Sequence, residues 1–442
     1  MSVPKRNQVV NILQEFSIPL LVGAAVAMLA ANFAGTWYRD ALHWMPFGHV
    51  SLFGHDVTLH FLVNDLFMVF FFGIAAKEIT EACLPGGSLN PVAKAINPLL
   101  ATLGGVVGPA MVFFLGLWLL FEVGVYSPES HDWSQLQRGW GVPTATDIAL
   151  AWLVARAVFG KGHPAVDFLL LLAVADDAIG LAIIAVFYGD PALPLRPEFL
   201  GLVVAGMAVA WALRRSRVKS WVPCIAIGGP LVWSGLVLAH LHPALALVFV
   251  VPFLPGPRRD IGLFSAQDEV DRLGPALAED LHIEHSPLHR FESRMKLFVD
   301  FGLFFFAFAN AGVPLTRIGP LTWVILGSLV VGKTLGISAL GLLAIRMGFP
   351  LPSRMGIAEL VMAGFVAALG LTVALFVASA AFTDTALLGQ AKMGALLSGF
   401  VGLAAIAVGR ALGMTQRREA PSPAPDPSAA AASSAWQATP RE

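Results

Sequence analysis

Two adjacent aspartates, Asp176 and Asp177, sit in the middle of the apolar run Leu-Leu-Leu-Leu-Ala-Val-Ala-Asp-Asp-Ala-Ile-Gly-Leu-Ala-Ile-Ile. A charge at membrane depth costs roughly 3 kcal/mol even on the lenient insertion scale. Neighbouring positions on a helix point ~100° apart, so one partner cannot satisfy both acids. Desolvation and like charge together favour a bound proton or cation over two bare anions. A proton or a hard cation, which takes oxygen ligands, suits such a pair. The plainer alternative is that each acid is hydrogen-bonded to a neighbouring helix.

Three further polar positions share this apolar setting. Asp147 lies in Gly-Trp-Gly-Val-Pro-Thr-Ala-Thr-Asp-Ile-Ala-Leu, where Pro143 removes a backbone donor and Thr144 and Thr146 offer hydroxyls. An interrupted helix there would present end dipoles and carbonyls near the midplane. Thr-Asp after Pro is equally a helix start signal, and both readings stand. Lys333, in Val-Val-Gly-Lys-Thr-Leu-Gly-Ile, needs an acidic partner or must give up its proton. A structural ion pair and a part in proton traffic are both open to it. Asp65, near the start of an apolar segment, reads as a residue of a helix end or mouth. Gly364, Gly370 and Thr372 weaken the middle of a late segment, a second candidate break, although glycine also serves close helix packing.

The elements that must position these groups follow from composition. The chain is 57% apolar and 13% charged, with a mean hydropathy of +0.73. A bilayer core needs about 20 apolar residues per helix, and twelve apolar segments are predicted: 17–36, 59–77, 95–121, 142–159, 165–188, 199–214, 221–239, 242–255, 296–313, 321–345, 355–382 and 390–412. The class is therefore an all-α polytopic membrane protein. With the N-terminus inside, most of the 28 Lys and Arg fall on one face. Arg39, Arg138, Arg196, Arg317 and Lys392 fall on the other, and Lys333 lies within a span. The positive-inside bias then puts both termini in the cytoplasm.

In and just after residues 37–58, Val50, Leu52, Val57 and Leu59 alternate with polar residues around Gly54, which reads as a short extracytoplasmic β-hairpin. Residues 255–296 form a long, mixed-charge, histidine-rich cytoplasmic loop. From Gln416 onward the chain is rich in Ala, Pro and Ser, and a disordered tail (416–442) is expected after one transmembrane domain (1–415). Met1 to Phe16 does not look like a cleavable signal. Without a basic patch interleaved with aromatics, no nucleic-acid partner is expected. Cys83 and Cys224 are far apart and have no metal-ligand spacing.

The combination of Val63-Asn64-Asp65, Val142 through Ala149, Ala175-Asp176-Asp177 through Tyr188, Phe306 through Val313 and Gly332 through Ile337 resembles the NhaA-type bacterial sodium/proton antiporters along almost the full length. The resemblance implies twelve transmembrane helices with two inverted three-helix repeats, segments three to five and ten to twelve. It also implies two broken helices, segments four and eleven, crossing near the midplane. Asp177 then matches the principal cation and proton carboxylate, and Asp176 its neighbour paired with Lys333. Asp147 and Thr146 match the polar group at the crossing. The resemblance further implies an electrogenic, pH-regulated exchanger of the inner membrane, dimeric through the hairpin, with membrane lipid around it. No cofactor is implied beyond the transported sodium or lithium and protons.

Two stretches depart from the family pattern. Residues 75–82 read Ala-Ala-Lys-Glu-Ile-Thr-Glu-Ala, which keeps Glu78 but moves its companion acid to Glu81. Glu284 and His285 match the opposite mouth, while Leu281-His282 replaces a basic pair. Glu78, Glu284 and His285 are thus candidates for pH sensing, and the bland alternative is a solvated charge cluster. Rival functions fare less well on the same residues. A sodium-coupled organic-anion symporter needs a roomy substrate cavity and a second sodium site. An intramembrane aspartyl protease places its acids on facing helices, and its Gly-x-Gly-Asp context is missing. No His-Glu-x-x-His occurs, and Ser234 has no evident base. A transport-dead sensor stays open from the histidine-rich loop.

Overall fold

A computed structural model describes residues 17–256 and 286–414, apart from residues 86, 91, 128, 130–131, 190–192 and 353–354. Glu284, His285, most of the 255–296 loop and the 416–442 tail lie outside the described residues. The described chain is mostly helical. Six of its helices are long and apolar enough to cross a membrane, or seven if a bent pair counts as one span.

Helix α1 (Ile18–Phe33) leads into the short α2 (Gly35–Leu42) and a hairpin of β1 (Ser51–Leu52) and β2 (His55–Asp56). The strands are antiparallel, with Ser51 opposite Asp56 and Leu52 opposite His55. Phe53 and Gly54 turn the chain with φ of 50° and 87°. Positive φ at both central positions is what a tight two-residue hairpin demands. Helix α3 (Leu59–Cys83) starts on a Thr58 cap and carries a π turn over Leu62–Phe67, which includes Asn64 and Asp65.

Next come α4 (Val92–Glu122), α5 (Trp133–Thr144), α6 (Ile148–Phe159) and α7 (Pro164–Phe187). Most of α5 is 3-10 helix, over Gln137–Thr144, and it meets α6 at 48°. After α7 follow α8 (Pro197–Arg215), α9 (Cys224–Leu238) and α10 (Pro243–Phe253). Helix α10 is 3-10 over Pro243–Val248 and Val251–Phe253, not the α-helix expected over 242–255. Pro243 and Pro252 each lack a backbone donor, which limits the length of any α-helix there. Helix α11 (Pro287–Asn310) begins well before the expected residue 296, because Ser286 accepts a hydrogen bond from the His289 amide and Pro287 occupies the first turn.

The last helices are α12 (Pro320–Arg346), α13 (Ile357–Val366), α14 (Thr372–Ala381) and α15 (Thr385–Ala411). A π turn over Ser328–Gly332 precedes Lys333 in α12. Packing divides the helices into two groups. One holds α4, α5/α6, α7, α12, α13/α14 and α15; the other holds α1, α3, α8, α9, α10 and α11. They meet where α3 rests on α7 and α11 on α14. Within the first group α4 and α12 touch backbone to backbone, since a methyl at Gly104 would collide with the carbonyl of Gly336. Small residues allow this approach where apolar burial gives helices little reason to associate.

Candidate ion site

The site forms where the two interrupted helices meet. At the first break, Ala145 and Asp147 are extended, so the backbone leaves the 3-10 turn before α6 begins. At the second, residues 367–371 run between α13 and α14. Each break leaves helix-end groups without intrahelical partners, and each supplies what the other lacks. The Asp147 amide donates to the Leu369 carbonyl at 2.6 Å, and the Thr146 hydroxyl donates to the Ala367 carbonyl at 3.0 Å.

Asp147 joins two helix starts. Its Oδ1 accepts from the Leu150 amide at 3.1 Å, capping α6. Its Oδ2 accepts from the Thr372 hydroxyl at 2.8 Å and the Thr372 amide at 3.3 Å, at the start of α14. The two roles open to it from the sequence, cap and break residue, are therefore one arrangement. A carboxylate between two helix N-termini meets two positive dipole ends. Lys333 lies beside the opposite ends. Its Nζ donates to Thr146 Oγ1 at 2.5 Å, and that hydroxyl in turn reaches the Ala367 carbonyl.

Lys333 Nζ also forms an ion pair with Asp176 Oδ2 at 2.7 Å. Both residues are sealed from solvent, at 0% and 2% exposure. Asp176 Oδ1 is buried and has no hydrogen-bond partner among the described residues. Asp177, one residue along α7, is half-buried and has no hydrogen bond or ion pair among the described residues. Asp176, Glu78, Asp147 and Lys333 all lie within its electrostatic reach. The two acids thus occupy different situations. One is held by a lysine; the other makes no hydrogen bond or ion pair among the described residues.

A second charged cluster lies at the C-terminal end of α3. Lys77 Nζ pairs with Glu81 at 2.6 Å and with Glu292 of α11 at 2.5 Å. His289 and Lys296 approach the same Glu292 at 3.7 Å and 3.9 Å. Glu78 is part of this end of α3 but outside those ion pairs. Asp65 lies apart from both clusters; its carbonyl accepts the Trp233 indole N–H at 2.9 Å.

Several supporting residues went unnoticed in the sequence. Glu292 was one, although its spacing of three and four from His289 and Lys296 puts all three on one helix face. Thr372 reads from the sequence only as a weak point in a helix, and the structure makes it the partner of Asp147. Tyr188 accepts from the Gly141 amide at 2.8 Å and donates to the Arg138 carbonyl at 2.6 Å, which steadies the approach to the first break. Ser398 accepts from the Gly370 amide at 3.2 Å at the second.

Interrupted helices joined at their breaks, beside a buried ion pair inside a bundle of apolar helices, define an integral membrane transporter. Residues 8–410 match the family described as Na+/H+ antiporter 1. A protein of Geobacter sulfurreducens named Na(+)/H(+) antiporter NhaA is 56% identical over 403 residues, covering 91% of this chain and 97% of its own. One of the same name from Desulfitobacterium hafniense is 54% identical over 420 residues, 95% of this chain and 99% of its own. Another from Jannaschia is 40% identical over 440 residues, 92% and 99% of the two chains. The chain belongs to the Na+/H+ antiporter 1 family.

Proposed function

We propose that this protein exchanges sodium (or lithium) for protons across the bacterial inner membrane, and that the cation and the protons compete for Asp177. The observation that carries the site assignment is the contrast between the two aspartates. Asp176 is neutralised by Lys333, while Asp177 has no partner among the described residues and stands in a field of other acids. A sodium ion takes oxygen ligands, as other hard cations do. Asp177, the unpartnered Oδ1 of Asp176, Thr146 and carbonyls at the helix breaks can supply them. Protonation removes the charge that holds the ion, so ion and protons exclude one another without a second site. Lys333 holds Asp176 and is placed to change its own proton when the ion arrives.

On this reading the chain makes twelve spans, with α5/α6 and α13/α14 each crossing as one, and both termini are cytoplasmic. Segments three to five and ten to twelve form inverted repeats, whose rocking switches access. The exchanger is electrogenic, and its pH response is set at the mouth by Glu78, Glu284 and His285, joined by Glu292. Asp65 serves the other mouth. The protein is a homodimer through the hairpin, surrounded by membrane lipid.

The assignment is tested in everted vesicles. Asp177→Asn should lower sodium-driven proton flux at least tenfold while leaving the protein in the membrane. Undiminished flux in that variant means the carrier carboxylate is elsewhere.

A further inference from the structure

A third polar cluster is buried in the molecule, and ion exchange at Asp177 makes no use of it. Asn310, at the end of α11, donates to Asn64 Oδ1 at 2.8 Å. Its own Oδ1 accepts from Ser379 Oγ at 3.1 Å and from Lys392 Nζ at 3.4 Å. Asn64 continues to the His60 ring, 2.8 Å from Nε2. Lys392 is 8% exposed, yet it has no carboxylate within ion-pair distance among the described residues.

The membership of this cluster is what gives it meaning. His60 and Asn64 (α3) and Asn310 (α11) belong to one packing group. Ser379 (α14) and Lys392 (α15) belong to the group that carries Asp177. The hydrogen bonds on Asn310 therefore tie the two groups together. One turn back along α14, Phe376 does the same with aromatic contacts, its ring 4.5 Å from that of His242, the residue capping α10, and 4.9 Å from that of Phe72 in α3. Along α14 the order is Thr372 on Asp147, then Phe376, then Ser379. At 1.5 Å rise per residue, the apolar layer lies ~6 Å and the polar layer ~10 Å beyond the break.

We propose that these two layers are a gate. Phe376 seals the ion site, and the Ser379–Asn310–Lys392 bonds latch the two helix groups over it. Ion passage toward the C-terminal end of α14 requires both to part once per cycle. The chemistry suits a latch that must open. Hydrogen bonds among a hydroxyl and amides exchange for water at small net cost, unlike a buried ion pair that would resist separation. Lys392, held by one long bond, gains hydration when the groups separate.

The inference rests on the exchange reading, and cross-linking separates the two. Asn310→Cys and Ser379→Cys are placed together in a chain whose Cys83 and Cys224 are changed to serine. A short bifunctional thiol reagent then bridges the pair, and sodium-dependent proton flux is measured in proteoliposomes against each single-cysteine chain treated alike. The expected result is at least a tenfold loss of flux, restored by reduction, while purified cross-linked protein still releases protons on addition of sodium. Unchanged flux removes the pair from the transport cycle. Loss of both flux and proton release places the pair in the binding site and not in a gate. Flux of the unbridged chain reports on exchange by itself, so a failure there is distinct from a failure of closure.

Discussion

At the residue scale, the two adjacent carboxylates of the candidate site are held differently. Asp176 has Lys333 at 2.7 Å, and Asp177 has nothing comparable among the described residues. Breaking a buried pair by removing one partner typically costs about 3–5 kcal/mol, while replacing both partners costs far less. Lys333→Met should therefore lower the melting temperature of the purified protein markedly, and Asp176→Asn combined with Lys333→Met should recover part of the loss. A double variant no better than the single would mean that Lys333 is stabilised by something other than Asp176. These groups were legible in the sequence because a charge in hydrocarbon announces itself. Glu292 was not, because an acid among Arg290, Arg294 and Lys296 looks like part of a solvated loop until α3 brings Lys77 against it. Asn310 and Ser379 are neutral and carry no such signal at all.

At the element scale, the decisive feature is that both interrupted helices are broken where they touch. Pro143 and the threonines mark the first break in the sequence, and Gly370 and Thr372 mark the second. Their pairing is not visible there, since Asp147 and Thr372 are 225 residues apart. Thr372→Val keeps the shape and removes the hydroxyl that donates to Asp147. A charge-assisted bond of this kind is worth roughly 1.5–3 kcal/mol, and the variant should be destabilised by about that amount in thermal unfolding. Unchanged stability would show that the Thr372 amide alone suffices to hold Asp147. The 3-10 character of α10 and the early start of α11 were missed for local reasons. Apolar content gives the position of a span, whereas Pro243, Pro252 and the Ser286 cap decide its backbone and its ends. Gly104→Val should separate α4 from α12, since the added carbons meet backbone and not a movable side chain. Lower yield of folded protein in detergent is the expected outcome, and normal yield would mean that α12 can shift.

At the scale of the whole molecule, two groups of helices share few contacts, and Asp177 sits on one of them. Such an arrangement lets one group move against the other without dismantling either. The hairpin of Ser51–Leu52 and His55–Asp56 has all four strand residues exposed, so among the described residues none buries these strands. If it joins two protomers, deleting residues 49–56 should convert dimer to monomer in native mass spectrometry while exchange persists; a persistent dimer would assign the interface elsewhere. The central claim, that sodium and protons compete for one carboxylate site, has a direct test. Transport currents are recorded on a solid-supported membrane after sodium concentration jumps at several pH values. Competition predicts that, on the acidic side, the apparent KM for sodium rises about tenfold for each unit of falling pH and each competing proton, while the current at saturating sodium is retained. A KM for sodium that stays constant while only the maximal current changes would contradict it.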